Sequence, residues 1–226
     1  MKQTGANWKS FSILFIILGL ILSGCVEEES LVPDSTIIQK YTLSDAIENN
    51  FIRTNITGNG ASSGDSINLE ITRLSSHTIE ITVPKGTILL ASDGSQNMVI
   101  RKVRGIAKDS TRIVPVSKIV LDSSETQILI LEAYCMNFNK KNPRSETEFT
   151  LETLADPEIL RILNSLDNLS SDITSIEAIQ TAIWFVTDDV SKKELEDRFP
   201  VEQKDFDNAN IILEEAGINM TSKGSS

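Results

Sequence analysis

The sequence predicts an α+β fold: an antiparallel β-sandwich or barrel followed by a small C-terminal helical subdomain. Three observations carry this expectation. Short segments of alternating apolar and polar residues recur as far as Phe138, separated by clusters of Gly, Asp and Ser. That is the pattern of antiparallel strands with one wet face. Pro143 then interrupts it, and beyond Pro143 the punctuation turns helical, with cap signals at Pro157, at residues 174–177 and 191–194, and a stop at Gly217.

Taken in order, residues 44–50 (SDAIENN) predict a short helix capped by Ser44 or Thr42. Strand signals begin at 51–57 and pause at the Gly/Ser cluster 58–65. Residues 67–74 place Ile67, Leu69 and Ile71 on one face, and 79–83, ended by Pro84, alternate in the same way. With Ser75-Ser76 between them, the two predict a hairpin. Further strands are expected at 87–91, 98–106 and 113–121. Residues 127–138 (QILILEAYCMNF) are the most apolar run of the domain and predict a central strand buried on both faces, with Leu129, Leu131, Ala133 and Cys135 sharing one of them. Helices are expected at 157–166, from the Thr174–Glu177 capping box to 187, from the Ser191–Glu194 box to Pro200, and at 205–216.

The amino terminus predicts an address. Lys2 and Lys9 precede twelve residues, 11–22, in which only Ser12 is polar, and small residues follow. These are the parts of a secretory signal peptide; the apolar run falls short of the ~20 residues a spanning helix needs. Leu22-Ser23-Gly24-Cys25 resembles the lipobox of prokaryotic lipoproteins. The resemblance implies cleavage before Cys25 and lipidation of its thiol, with two acyl chains making a stable anchor. The expected division is a signal peptide at 1–24, an acidic tether at 25–42, the β-sandwich domain at 43–150, the helical subdomain at 151–218 and a flexible tail at 219–226.

Net charge is −11, and removal of residues 1–24 takes away two lysines and no acid, leaving −13. Such a surface repels phosphate backbones and argues against a nucleic-acid partner. It also repels an anionic leaflet, so attachment to the membrane is expected through lipid. With Cys25 lipidated, Cys135 is the remaining thiol of two cysteines and no intrachain disulfide can form. His77 is the single histidine, which removes multi-histidine zinc sites and leaves a Cys–His hydrolase dependent on His77 meeting Cys135. Asn55, Asn168 and Asn219 begin glycosylation triplets that matter only in a host that uses them.

Other motifs read as ordinary structure. The Gly58–Gly64 loop precedes a strand and holds no lysine, unlike a phosphate cradle. Residues 93–97 and 205–207 alternate oxygen ligands but lack the glycine and glutamate of calcium loops, and Asp188-Asp189 reads as an inter-helix loop. Neither a metal nor a cofactor is expected.

The remaining pair is Cys135 in Tyr134-Cys135-Met136 and Gln180 in Ile179-Gln180-Thr181-Ala182-Ile183-Trp184. Together they resemble the two motifs of bacterial surface thioester domains, although they lie closer in sequence than is usual there. The resemblance implies an internal thioester between Cys135 and Gln180, open to attack by a partner's amine and shielded from water by Tyr134 and Trp184. The plainer alternative is a core cysteine with a glutamine capping a backbone group. Ile176, Gln180 and Trp184 share a helix column, so the amide should be largely buried and in need of a partner.

The expected protein is therefore a lipid-anchored lipoprotein on the extracytoplasmic face of the cell envelope. It is read as a non-catalytic binding or envelope-associated module for an unknown surface ligand or protein partner, and not as an enzyme. The alternative is a covalent surface adhesin built on Cys135 and Gln180.

Overall fold

The computed structural model describes residues 38–109 and 112–219; the lipobox and Cys25 lie outside them. Among the described residues the chain forms ten strands and five helices. The strands are β1 (Gln39–Thr42), β2 (Ile52–Gly58), β3 (Ser63–Arg73), β4 (Ile79–Thr82), β5 (Thr87–Ala91), β6 (Met98–Ala107), β7 (Ile113–Val114), β8 (Ile119–Leu121), β9 (Gln127–Cys135) and β10 (Phe149–Leu154). The helices are α1 (Leu43–Glu48), α2 (Pro157–Ser165), α3 (Ile176–Thr187), α4 (Lys192–Arg198) and α5 (Gln203–Glu215).

The larger sheet is antiparallel and runs β10-β5-β6-β9-β3-β2, with β7 also on β6. Its edges approach each other: Thr57 bridges Glu148, and the Gly58 N–H donates to the Thr147 carbonyl at 2.9 Å. The sheet is thus nearly closed, as in a barrel. The smaller sheet is β1-β4-β8, with β1 parallel to β4. The α+β class, with antiparallel strands followed by C-terminal helices, is the one the patterning predicts.

Several local expectations are corrected. Residues 67–74 and 79–83 do not form a hairpin. β3 pairs with β2 and β9, whereas β4 pairs with β1 and β8. The apolar faces of both strands, Leu69 and Ile71 on one and Ile79 and Ile81 on the other, enter one core from different sheets. Facing across a core buries both sets, which an exposed ribbon would not. Gln39–Thr42, read as the end of the tether, is strand β1, and Thr42 caps α1 by accepting from the Asp45 N–H. The expected strand 113–121 is divided into β7 and β8, with Pro115, which has no N–H for a ladder, in between. β10 follows Pro143, so helices do not take over there directly.

At α3 the cap is Ser175, one residue after the expected Thr174, and its hydroxyl accepts from the Ala178 N–H at 3.1 Å. The Ser191–Glu194 box is present. α5 starts before Asp205, whose carboxylate instead accepts from the Glu202 N–H at 3.1 Å. Gly217, at φ +67°, ends α5 in a Schellman turn: the Ile218 N–H reaches the Leu213 carbonyl and the Gly217 N–H that of Glu214.

Strand β9 is central, flanked by β3 and β6. Its side chains alternate between two cores. Leu129, Leu131, Ala133 and Cys135 enter one with residues of both sheets. Tyr134 enters the other with Val99 and the apolar faces of α2, α3 and α5.

Candidate functional site

The end of β9 and the middle of α3 meet at Cys135 and Gln180. Cys135 is wholly buried and Gln180 is 5% exposed. The Cys135 N–H donates to Gln180 Oε1 at 2.9 Å, and Gln180 Nε2 donates to the Cys135 carbonyl at 2.7 Å. The carboxamide is therefore clamped by both backbone groups of the cysteine. A second donor, the Ser63 hydroxyl, also reaches Gln180 Oε1. The thiol itself donates to the Ser62 carbonyl at 3.0 Å.

The amide is held in place by the elements around it. Cys135 is the last residue of β9, and its carbonyl faces α3 rather than a neighbouring strand. Gln180 sits in the first half of α3, where Ala178, Ile179, Ala182 and Ile183 are buried and fix the helix. Trp184, one turn on, donates its indole N–H to the buried Gln96 Oε1 at 3.3 Å. Its ring packs on Phe199, with centroids 4.7 Å apart, and edge-on to Phe138 at 5.3 Å.

Burial pushes the Cys135 thiol up to about 12. It is held neutral at ordinary pH, so its attack as a thiolate nucleophile on electrophiles from solution is suppressed. Reaction with a group held against it gains instead from proximity, which can replace several kcal/mol of barrier, roughly 7–11 in favourable cases. Gln180 is held on the backbone of the same residue.

A cleft of about 430 Å³ opens on Gln180 of the pair, walled by residues 60–63, by Ile176, Glu177, Thr181 and Trp184 of α3, and by residues 199–201. A larger hollow of about 710 Å³ between α1, β2 and β10 contains neither Cys135 nor Gln180.

Among the residues singled out in the sequence, Cys135, Gln180 and Trp184 come together. Tyr134 does not shield the thiol. Adjacent strand residues point to opposite faces, and Tyr134 donates its hydroxyl to Glu132 at 2.8 Å within the helical core. His77 lies exposed in the turn before β4, away from a thiol whose partner is Ser62. Asn55, Asn168 and Asn219 are all exposed. Asp93 accepts from the Ser95 N–H and the Thr147 hydroxyl within a turn. Sequence reasoning missed Ser62, Ser63 and Gln96. The first two lie in a cluster read as plain loop, and nothing in the local pattern marks any of them.

The segment from Glu132 to Ala216, just over a third of the chain, matches the model of a family described as thioester domain. No curated protein and no solved structure matches the chain. The matched segment contains both Cys135 and Gln180, together with β10 and all of α2 to α5, so this part of the chain is similar to a thioester domain at the positions where the buried pair meets.

Proposed function

We propose that this protein is a surface protein whose Cys135 and Gln180 form an internal thioester that couples covalently to an amine of a partner. The observation that carries the reading is the clamp itself: a neutral, buried thiol and a buried carboxamide held on the same residue, within a segment similar to thioester domains. Loss of ammonia from Gln180 would leave its acyl carbon on Cys135 Sγ. An incoming primary amine would then form an amide at that carbon, and the thiol would be released with a proton from the amine. The bond is spent in one turnover, so the protein acts as a reagent and not as an enzyme.

The cleft supports this reading because it reaches Gln180 from outside and gives an amine a way in, with Ile176, Trp184, Phe199, Pro200 and Val201 on its apolar side and Ser62, Ser63, Glu177 and Thr181 on its polar one. Attachment to the extracytoplasmic face of the membrane through lipidated Cys25 belongs to the same proposal and rests on the lipobox resemblance. It would place the reactive bond where a partner can meet it.

A second reading rests on the same contact. A glutamine that satisfies both the N–H and the C=O of a strand's last residue is a complete structural solution by itself. In that reading the protein is a non-catalytic binding or envelope-associated module, and Cys135 is core.

Intact mass decides between them. The thioester reading expects the full chain with Cys25→Ser, which prevents lipidation, to lie about 17 Da below its sequence mass through loss of ammonia, methylamine to add about 31 Da to that form, and Cys135→Ala to abolish both effects. A chain at its sequence mass that is unaltered by methylamine rejects the thioester and leaves the second reading.

A further inference from the structure

Two donors converge on one oxygen at this site, and only one of them is backbone. Gln180 Oε1 accepts from the Cys135 N–H at 2.9 Å and from the Ser63 hydroxyl. Ser63 is held there by a local departure from regular strand geometry. It opens β3 opposite Tyr134 of β9, and Gly64 follows at φ +75°. The ladder then shifts register between Asp65 and Ile67. The buried Ser66 hydroxyl lies 3.2 Å from the carbonyls of both Gly64 and Ala133, which fastens the distortion to β9. A bulge of this kind re-aims a side chain at a strand end, and here the re-aimed side chain is a hydroxyl pointed at the carboxamide.

We infer that Ser63 is a catalytic donor of this site, forming with the Cys135 N–H a two-donor hole for the Gln180 oxygen. The inference rests on the thioester reading. When Cys135 Sγ bonds to Gln180 Cδ, the C=O electron pair moves onto Oε1 and both donors face the resulting oxyanion. The thiol proton goes to Nε2, the C–N bond breaks, ammonia leaves, and the carbonyl re-forms as the thioester. Attack by an amine passes through a second oxyanion on the same oxygen. The C–S bond then breaks, and a proton from the amine nitrogen goes to sulfur. Donors aimed where charge develops stabilise both transition states, and removal of one such donor typically slows a reaction by roughly 10²–10³. The same serine therefore governs both how fast the bond forms and how fast it reacts.

The test is methylamine uptake followed by intact mass, on the full chain with Cys25→Ser to prevent lipidation. Ser63→Thr keeps a hydroxyl and Ser63→Val replaces it with a methyl of nearly the same shape; both residues suit a strand. The expected result is that the threonine variant forms the bond and takes up methylamine within a few-fold of the parent. The valine variant, with an unchanged thermal midpoint, should be slower by ~10² or more in both steps. Threonine and valine variants that react at the same rate overturn the role of Ser63 and leave the thioester standing. A parent chain without the mass deficit removes both the thioester and this inference. Should the valine variant unfold, Ser63→Ala read against the threonine variant provides the same comparison.

Discussion

The two faces of β9 solve the problem of burying polar groups in opposite ways. On one face, Glu132 and Tyr134 form an ionic network. Arg101 donates to Glu132 Oε1 at 2.7 Å, the Tyr134 hydroxyl joins it at 2.8 Å, and Lys102 and Arg104 approach the other oxygen at 3.6 and 3.7 Å. On the other face, Cys135 and Gln180 are neutral and pair amide to backbone. The charged face fixes its protons firmly: burial pushes Glu132 up, but the Arg101 guanidinium outweighs it and holds the carboxyl below its ordinary value, whereas burial drives Tyr134 up. On the thiol face nothing charged helps Cys135 ionise. One strand thus keeps an ionic structural brace and a neutral, buried thiol one residue apart, and the pleat separates them.

The largest effect that would sharpen this comparison is on the charged face. Glu132→Gln leaves Arg101 buried without its counter-charge and should cost about 3 kcal/mol, seen as a lower denaturant midpoint. The folded fraction should still carry the mass deficit of the thioester, because the two faces act independently. Loss of the deficit in folded protein would break the comparison. The pH dependence has a definite sign. With its folded pKa below the ordinary 4.5, Glu132 gives its full stabilisation above that value and loses it as pH falls through the lower folded one. The Glu132→Gln variant should lack that acid limb.

Much of the architecture was legible because it depends on local pattern. Alternation at Ile67, Leu69 and Ile71 marks a strand wherever that strand goes, and Ser191 with Glu194 specifies its box within one turn. Pairing partners were not legible. Ile79 and Ile81 alternate equally well in a hairpin with β3 or in another sheet, and which one forms is decided by the core they share across the molecule. The site divides in the same way. Cys135 and Gln180 stood out by residue type and neighbours, and helix spacing implied a buried amide. Tyr134 was misassigned because adjacency in sequence means opposition across a strand. Ser63 was invisible since its position depends on a bulge and a positive φ, and Gly and Ser there look like any loop.

A smaller effect belongs to the thiol face. Trp184→Phe keeps an aromatic ring but removes the indole N–H, leaving the buried Gln96 Oε1 without that donor. The expected loss is about 2 kcal/mol in thermal or chemical unfolding. If the indole also keeps water from the acyl carbon, the thioester form should hydrolyse several-fold faster. Intact mass would then drift, without amine, from about 17 Da below to about 1 Da above the sequence mass. An unaltered drift with reduced stability would make Trp184 a brace for Gln96 and nothing more.

The smallest effect on stability should come from Gly64, yet it probes the site most directly. Alanine at φ +75° is strained by about 1 kcal/mol, and its Cβ would meet the Ile176 Cδ1 methyl at 2.8 Å. That methyl ends a half-exposed side chain and can move, so the contact should add little to the stability cost. Ile176 lies one turn before Gln180 on α3, however, and Gly64 lies next to Ser63 on β3. A displacement at either end would part the hydroxyl from the amide. Gly64→Ala should therefore slow methylamine uptake more than its stability loss suggests. Adding Ile176→Ala separates the two causes. If crowding of α3 is responsible, the double variant recovers the rate and keeps the strain penalty. If both variants stay equally slow, the backbone of β3 sets the position of Ser63, and the distortion at Gly64 is what aims the donor.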